Sequence, residues 1–465
     1  MGIAILGTRS LAQSSIKIKL DIDKPATAIP DDFCGLSYEI KVVLPDSTGK
    51  HYFSPENKSL IRAFKALGIK HLRVGGNTAE RSTIPIPNKI DIDSLFAFAK
   101  AAEVKVIYTV RMEGNTPQAA AEVVRYVMDR YKDYVSCITV GNEPNKHWTY
   151  NEYLDEWKKF VAVITSSAYS SDAKFCAPST TPQAVPWAGQ FAEDIGRSDN
   201  FLFLSQHDYP AGDGDTINDS AKERTRLLSS AMYSRYQNFY NSFVPAALAK
   251  NIPFRLEEAN SYGHGGAVGV SDTYAASLWA LDYLYWWAYH SALGINFHAG
   301  EKVLRGLGGS AKPNVYTALT SSPDGYTILP TGYGMKAFQI GSHGRLIPAV
   351  VESNLESINL AAYAVLSSDR CIYVTLINKE FDSNGRAANV TLLTNMTLYR
   401  GEMMKLTAPS GDVTSIEGIT LGGADIKEDG SWHGNWTTIP ENPIEDSITI
   451  NVPAATAVIV KLYSN

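Results

Sequence analysis

The chain has 465 residues, 45% hydrophobic and 19% charged, with 42 Lys+Arg against 48 Asp+Glu and a formal net charge of −6. This composition excludes a disordered or fibrous chain, and the mildly acidic balance argues against a general nucleic-acid binder, whose affinity rests on neutralising phosphates. At roughly 150 residues per domain, the length predicts about three domains, or one large barrel and a smaller unit.

Residues 1–13, MGIAILGTRSLAQ, read as a signal remnant or tag: Ser10-Leu11-Ala12 has the small-x-small form of a cleavage site, but the apolar core is short and no basic region precedes it. In residues 14–24, Ile16, Ile18, Leu20 and Ile22 alternate with polar residues, a strand predicted to pair with the C-terminal sheet. Residues 25–345 alternate short apolar runs with amphipathic segments. The predicted strands are 33–40, 69–75, 104–111, 135–142, 173–179, 201–207, 253–258 and 295–298. Between them Thr116-Pro117 reads as an N-cap followed by a helix-opening proline. Leu154, Trp157, Val161 and Ile164 recur at helical spacing, and Ser271 is placed as the cap of a long helix. Eight strands alternating with helices predict a closed (β/α)₈ barrel. The open doubly wound sheet is the rival, weakened because no GxGxxG follows the first strand. From residue 346 to 465 short alternating runs at 371–377, 390–393, 398–405, 447–452 and 457–462, separated by Gly, Asn, Ser and Pro, predict an all-β sandwich.

Cys34, Cys137, Cys176 and Cys371 form no CxxC pair and read as buried thiols, with Cys137 and Cys176 on adjacent strands. Sequons begin at Asn57, Asn218, Asn389, Asn395 and Asn435, three of them toward the C-terminus, which favours a secreted glycoprotein. The apolar run 278–295 contains Asp282 and His290 and reads as a buried helix, so no membrane span is expected. No metal or cofactor is implied: the nine His form neither HxH nor HExxH, and no GxxxxGK[ST] loop occurs.

In a parallel barrel the reactive residues sit at the C-terminal ends of the strands. The fourth predicted strand leads into Val140-Gly141-Asn142-Glu143-Pro144-Asn145, and the seventh into Glu257-Glu258-Ala259-Asn260-Ser261. Strands four and seven face each other across the mouth of an eight-stranded barrel. Two carboxylates across a sugar-sized gap are the minimum machinery for glycoside hydrolysis: one holds a proton for the departing oxygen, the other is ionised. The 25 Tyr and 8 Trp suit sugar stacking as well as core filling. Because neighbours on a strand point to opposite faces, only one of Glu257 and Glu258 is expected in the site, and periodicity does not choose between them.

These residues resemble glycoside hydrolase family 79, the β-glucuronidase and heparanase family of retaining (β/α)₈ glycosidases, with its exo-β-glucuronidases the nearest pattern. The resemblance runs through Gly35-Leu36-Ser37-Tyr38-Glu39, Arg73-Val74-Gly75-Gly76-Asn77-Thr78, Val140-Gly141-Asn142-Glu143-Pro144, and Glu258-Ala259-Asn260-Ser261-Tyr262 on to Gly265-Gly266 and Ser271-Asp272-Thr273. It implies Glu258 as nucleophile, since the glycine pair and Ser-Asp-Thr then fall in place without a gap, and Glu143 as acid/base; Glu257 is the alternative nucleophile. Glu143 is expected to have a raised pKa, helped by the charge of Glu258. The resemblance further implies Asn142 at the sugar 2-hydroxyl, Glu39 at sugar hydroxyls and Tyr209 beside the nucleophile. Arg73 and His207 are supporting residues. Tyr262, Gly263 and Gly265 are expected around the uronate, with His298 or Arg305, and Lys302 beside them, supplying charge where the loop after strand eight departs from the family pattern and lacks an evident tyrosine.

The resulting expectation is a retaining exo-β-glucuronidase acting on a terminal glucuronide, with or without a 4-O-methyl group, working as a monomer. The alternatives are a heparanase-like endo-hydrolase, ranked lower because no Lys/Arg clusters stand near the mouth motifs, another β-hexosidase, and a non-catalytic carbohydrate-binding barrel.

Overall fold

The computed structural model describes residues 14–302, 313–352, 358–440 and 446–464. The reading of residues 1–13 and the assignment of Arg305 lie outside them. Strand β1 (Ser14–Leu20) is followed by eight strands that close a parallel barrel: β2 (Cys34–Glu39), β3 (His71–Gly75), β4 (Lys105–Val110), β5 (Val135–Val140), β6 (Phe175–Pro178), β7 (Phe201–Asp208), β8 (Phe254–Ala259) and β9 (Ile295–His298). β9 pairs back onto β2 to complete the ring. The strands are buried on both faces, as a parallel sheet wrapped in helices requires. That is why they read as continuous apolar runs rather than as alternation.

The helices between them start where their caps dictate. Thr116 accepts from Ala119 N at 3.2 Å with Pro117 opening the helix. Asn88 with Asp91, and Thr149 with Glu152, form reciprocal capping boxes. Ser271 is not a cap: the long helix Tyr274–Tyr289 begins after Thr273, while Ser271 Oγ pairs with Ser261 and accepts from Ala267 N. Cys137 Sγ and Cys176 Sγ approach to 2.9 Å inside the barrel, and all four cysteines are free and buried.

The C-terminal residues build two facing sheets. One has four strands in the order Ala349–Val351, β1, Ala388–Thr394, Ser447–Val452, with β1 parallel to Ala388–Thr394 from Ser14↔Ala388 to Leu20↔Thr394. The other has seven strands and is centred on Ile372–Asn378 and Thr456–Ser464. Ile16, Ile18 and Leu20 from β1 fill the core between the sheets with Val374, Val390, Leu392, Ile450 and Val460. The fold is therefore a (β/α)₈ barrel with a β-sandwich that takes in the N-terminal strand.

Helix Tyr274–Tyr289 lies between the two units and is buried around nearly its whole circumference. Its Asp282 pairs with Lys379 of the sandwich at 2.7 Å and accepts from Tyr233 and Tyr363, and Tyr285 stacks on Tyr363 at 4.9 Å. These partners allow charges and phenols in an otherwise apolar seam. No helix among the described residues is long and apolar enough to cross a membrane.

Candidate active site

The barrel mouth is organised around Arg73 at the middle of β3. This guanidinium is fully buried, so its charge has to be matched. Nη1 donates to Glu258 Oε2 at 2.6 Å and to Ser37 Oγ at 3.2 Å; Nη2 donates to Asn142 Oδ1 at 2.5 Å. The glycines after it make the room. A Cβ on Gly75 would lie 2.5 Å from the Arg73 guanidinium carbon, and one on Gly76 would lie 2.6 Å from the Glu39 carboxylate. Arg73-Val74-Gly75-Gly76 is thus a strand end that places a cation and an anion where side chains would otherwise sit.

Glu258, near the end of β8, carries three further neighbours: Tyr209 donates to Oε1 at 2.7 Å, His298 Nδ1 stands 3.7 Å from Oε2, and His207 Nδ1 stands 3.9 Å from Oε1. Burial pushes this carboxyl up, but His298, His207, Arg73 and the Tyr209 hydroxyl together hold it well below the usual carboxylate range. It stays ionised.

Glu143 follows β5 in a left-handed backbone conformation (φ 48°, ψ 54°), a costly one for a residue with a Cβ. The turn is held from below: Glu143 N donates to Ser179 O at 2.9 Å. Glu80 accepts from the amides of Asn142, Met112 and Glu113 at 3.1, 3.2 and 2.6 Å, tying the loop after β5 to the loop after β4. Oε1 of Glu143 faces His207 Nδ1 at 3.1 Å, and Oε2 contacts Lys146 Nζ, which also donates to Asn77 Oδ1 at 2.7 Å. The expected raised pKa is not what these contacts produce. Burial and Glu258 do push Glu143 up, but His207 and Lys146 outweigh them, and the net displacement is downward. Glu143, His207 and Glu258 present polar atoms that all lie within 4.8 Å of one another.

Only Glu258 of the pair lines the cavity, yet Glu257 and Glu258 do not take opposite faces of β8. Gln206 of β7 lies opposite Leu256, yet the next residue, His207, lies opposite Glu258; on the other side Leu256↔Ile295 gives way to Ala259↔Phe297. β8 therefore holds one residue more than either neighbour, a bulge. Both glutamates reach groups of the barrel interior. Glu258 meets the mouth. Glu257 is fully buried beneath it, accepting from Thr139 Oγ1 at 3.2 Å and Cys176 Sγ at 3.7 Å.

A cavity of about 570 Å³ opens over Glu143 and Glu258. On the Glu143 side it is lined by Asn77, Arg81, Lys146, Thr181 and Gln183, and on the Glu258 side by Tyr209, Gly263, His264, Gly265, His298, Asn314 and Tyr316, with Glu39 between. Glu39 is fixed by Thr78, whose N and Oγ1 donate to Oε2 at 2.7 and 2.6 Å. Asn142 is buried behind the wall, its amide orientation set by Arg73.

Tyr262 does not join the cavity. Its ring is buried and its hydroxyl donates to Glu223 Oε2 at 2.7 Å, so it anchors the loop from behind. Lys302 is likewise not among the lining residues; its amide donates to Thr320 Oγ1 at 3.1 Å. The tyrosine missing from the stretch after β9 enters later, as Tyr316. Its ring lies 6.4 Å from that of Tyr209 and 6.2 Å from that of His298. It is held there because Val315 N donates to Gly265 O at 2.7 Å, a cross-loop bond with no local sequence signal. Arg81 and Lys146 bring positive charge to the mouth although the sequence has no basic cluster there. Lys146 had a readable sign, since Pro144 tightens the chain into a single turn that returns position i+3 to Glu143.

Residues 362–459 match the family profile described as glycosyl hydrolase family 79 C-terminal beta domain. A β-glucuronidase of Aspergillus niger is 23% identical over 270 residues, covering 51% of this chain and 46% of that protein, so the match spans less than half of the relative's length. Among solved structures, a 4-O-α-L-rhamnosyl-β-D-glucuronidase from Fusarium oxysporum superposes with a TM-score of 0.71 at 18% identity, covering 96% of this chain and 100% of the other. A family 51 arabinofuranosidase from Xanthomonas axonopodis pv. citri gives 0.69 at 13% identity over 97% and 100%. At these identities the structural matches speak for the fold.

Proposed function

We propose that this chain is a glycoside hydrolase of family 79 and, within it, a retaining exo-β-glucuronidase that releases terminal β-linked glucuronic acid by double displacement. The observation that carries the reading is the approach of Glu143 and Glu258 to within 4.8 Å. Retaining enzymes hold their two carboxyl groups about 5–5.5 Å apart, whereas inverting enzymes leave about 6.5–9.5 Å for a water.

In the first step Glu258, ionised and clamped by Arg73 and Tyr209, attacks the anomeric carbon while Glu143 gives a proton to the departing oxygen. That oxygen takes the place of Lys146 Nζ at Glu143 Oε2, removing one of the cations that depress the carboxyl. In the second step Glu143 takes a proton from water, the water oxygen attacks the anomeric carbon, and Glu258 leaves as carboxylate. The sugar lies toward Tyr209, His298 and Tyr316, its C5 carboxylate against the Gly263–Gly265 loop, where the absence of side chains lets the backbone come close. The aglycone lies toward Asn77, Arg81 and Lys146. Those two cations favour a second reading, cleavage within a charged glycan. The sequons and the carbohydrate substrate class are consistent with secretion.

The test is hydrolysis of 4-nitrophenyl β-D-glucuronide beside the matching glucoside and a uronic-acid polymer, with proton NMR of the first-formed sugar. Glucuronide cleavage giving the β-anomer first, abolished in Glu143→Gln and Glu258→Gln, is the expected result. The α-anomer first would overturn retention; release of oligomers from the polymer alone would favour the second reading; glucoside cleavage alone would exclude a uronate pocket.

A further inference from the structure

The bulge in β8 turns a second glutamate into the barrel, and the reaction as described leaves it without a role. Glu257 Oε1 lies 3.6 Å from His207 Nε2, and neither atom has a hydrogen-bond partner. The other ring nitrogen, Nδ1, faces Glu143 Oε1 at 3.1 Å. Glu257, His207 and Glu143 thus form a line running from the sealed interior to the mouth. We propose that Glu257 is a positioning residue that keeps both nitrogens of His207 protonated, so that Glu143 always accepts a hydrogen bond on Oε1 and carries its catalytic proton on Oε2, the oxygen beside Lys146 at the cleft. The inference rests on Glu143 being the acid/base.

Of the ring's protonation states, only the doubly protonated one serves both flanking carboxylates. A neutral ring carries one proton. If it sits on Nδ1, Glu257 Oε1 confronts the Nε2 lone pair, and the fully buried carboxylate is left to the Thr139 and Cys176 bonds on its other oxygen and to Ser179 and the more distant Arg73, a costly arrangement. If it sits on Nε2, Nδ1 becomes an acceptor and draws the Glu143 proton onto Oε1, away from the substrate. The imidazolium satisfies both carboxylates at once. The charged groups around the ring agree with this state. Glu143 faces it from the loop after β5, and Glu257 and Glu258 face it from β8. Of the cations near them, Arg73 of β3 is hydrogen-bonded to Glu258 and also acts on Glu257, and Lys146 contacts Glu143 Oε2; Tyr209, near the end of the ring's own strand, gives its hydroxyl to Glu258. Burial alone would lower the ring's pKa, but Glu258, Glu143 and Glu257 lift it to about 9.

The experiment follows the ring by ¹⁵N/¹³C NMR in the full chain labelled at histidine, with His207→Gln to assign the signal, and records kcat/KM against pH on the nitrophenyl glucuronide. Expected are a doubly protonated His207 at pH 7.5 in the unaltered protein and, in Glu257→Gln, a ring titration that moves down by at least one pH unit, with Glu257→Asp in between. A singly protonated ring at pH 7 in the unaltered protein would overturn the proposal. So would a Glu257→Gln protein whose ring titration stays in place, whatever its kcat. Should Glu257→Gln fail to fold, the unaltered ring's titration decides alone. Absence of glucuronidase activity would count against the acid/base reading while the ring measurement still judged this one.

Discussion

Tyr209→Phe isolates one hydrogen bond at the nucleophile. The phenol donates to Glu258 Oε1 at 2.7 Å, and Phe keeps the ring beside Tyr316, 6.4 Å away. A hydrogen bond to an ionised acceptor is worth about 1.5–3 kcal/mol. At about 1.4 kcal/mol per pKa unit, losing it raises the Glu258 pKa by about 1–2 units. Glu258 acts only when ionised, so the acid limb of kcat/KM moves up by the same amount. The bond exists while Glu258 is an anion, is absent in the glycosyl-enzyme ester, and re-forms as Glu258 departs. Its removal therefore penalises the second step by up to the full about 1.5–3 kcal/mol, about 10- to 150-fold, but costs the first step less, because there the bond is lost from the free carboxylate as well as from the transition state. The expected outcome in stopped-flow assays with the nitrophenyl glucuronide is a kcat reduced about 10- to 100-fold, a KM reduced in parallel, and a burst of nitrophenol matching the enzyme concentration. Equal losses in kcat and kcat/KM, with no burst and an unmoved acid limb, would refute the reasoning.

Two further substitutions test the placement of residues. Tyr262→Phe is expected to leave KM for the glucuronide within about twofold and to lower stability by about 1 kcal/mol, the worth of its bond to Glu223; a large rise in KM would return Tyr262 to the sugar site. Lys379→Met leaves Asp282 buried at the seam without its cation, at a cost of about 3–5 kcal/mol in urea unfolding, while kcat at 25 °C stays unchanged. A stable variant would mean that Tyr233 and Tyr363 satisfy Asp282 by themselves.

The barrel was legible because parallel strands buried on both faces leave apolar runs of the right length, and eight of them alternated with capped helices such as the one at Thr116-Pro117. β1 was legible for the opposite reason, strict alternation in a half-exposed sheet. What escaped reading depends on relations between distant segments. The bulge in β8 is one residue too many relative to β7 and β9, and nothing within Phe254–Ala259 marks it; a strict period of two therefore gave no sign that both glutamates turn into the barrel. Tyr316 reaches the mouth through a bond to Gly265, and Glu80 gathers amides from two other loops. The acidity of Glu143 was misjudged because the expectation counted Glu258 and burial but neither Lys146, three residues on, nor His207 across the barrel.

The place of β1 in the sandwich has a consequence for synthesis. The strand leaves the ribosome ahead of the barrel, yet its parallel partner Ala388–Thr394 emerges only after the entire barrel has been translated. At roughly 5–20 residues per second this interval is on the order of twenty seconds to over a minute. Throughout it Ile16, Ile18 and Leu20, which end with almost no exposure, belong to an unpaired strand with both edges open, the form most prone to wrong pairing. Until then a translated barrel carries an unsatisfied ribbon, and strands made after the barrel are the ones that retire it.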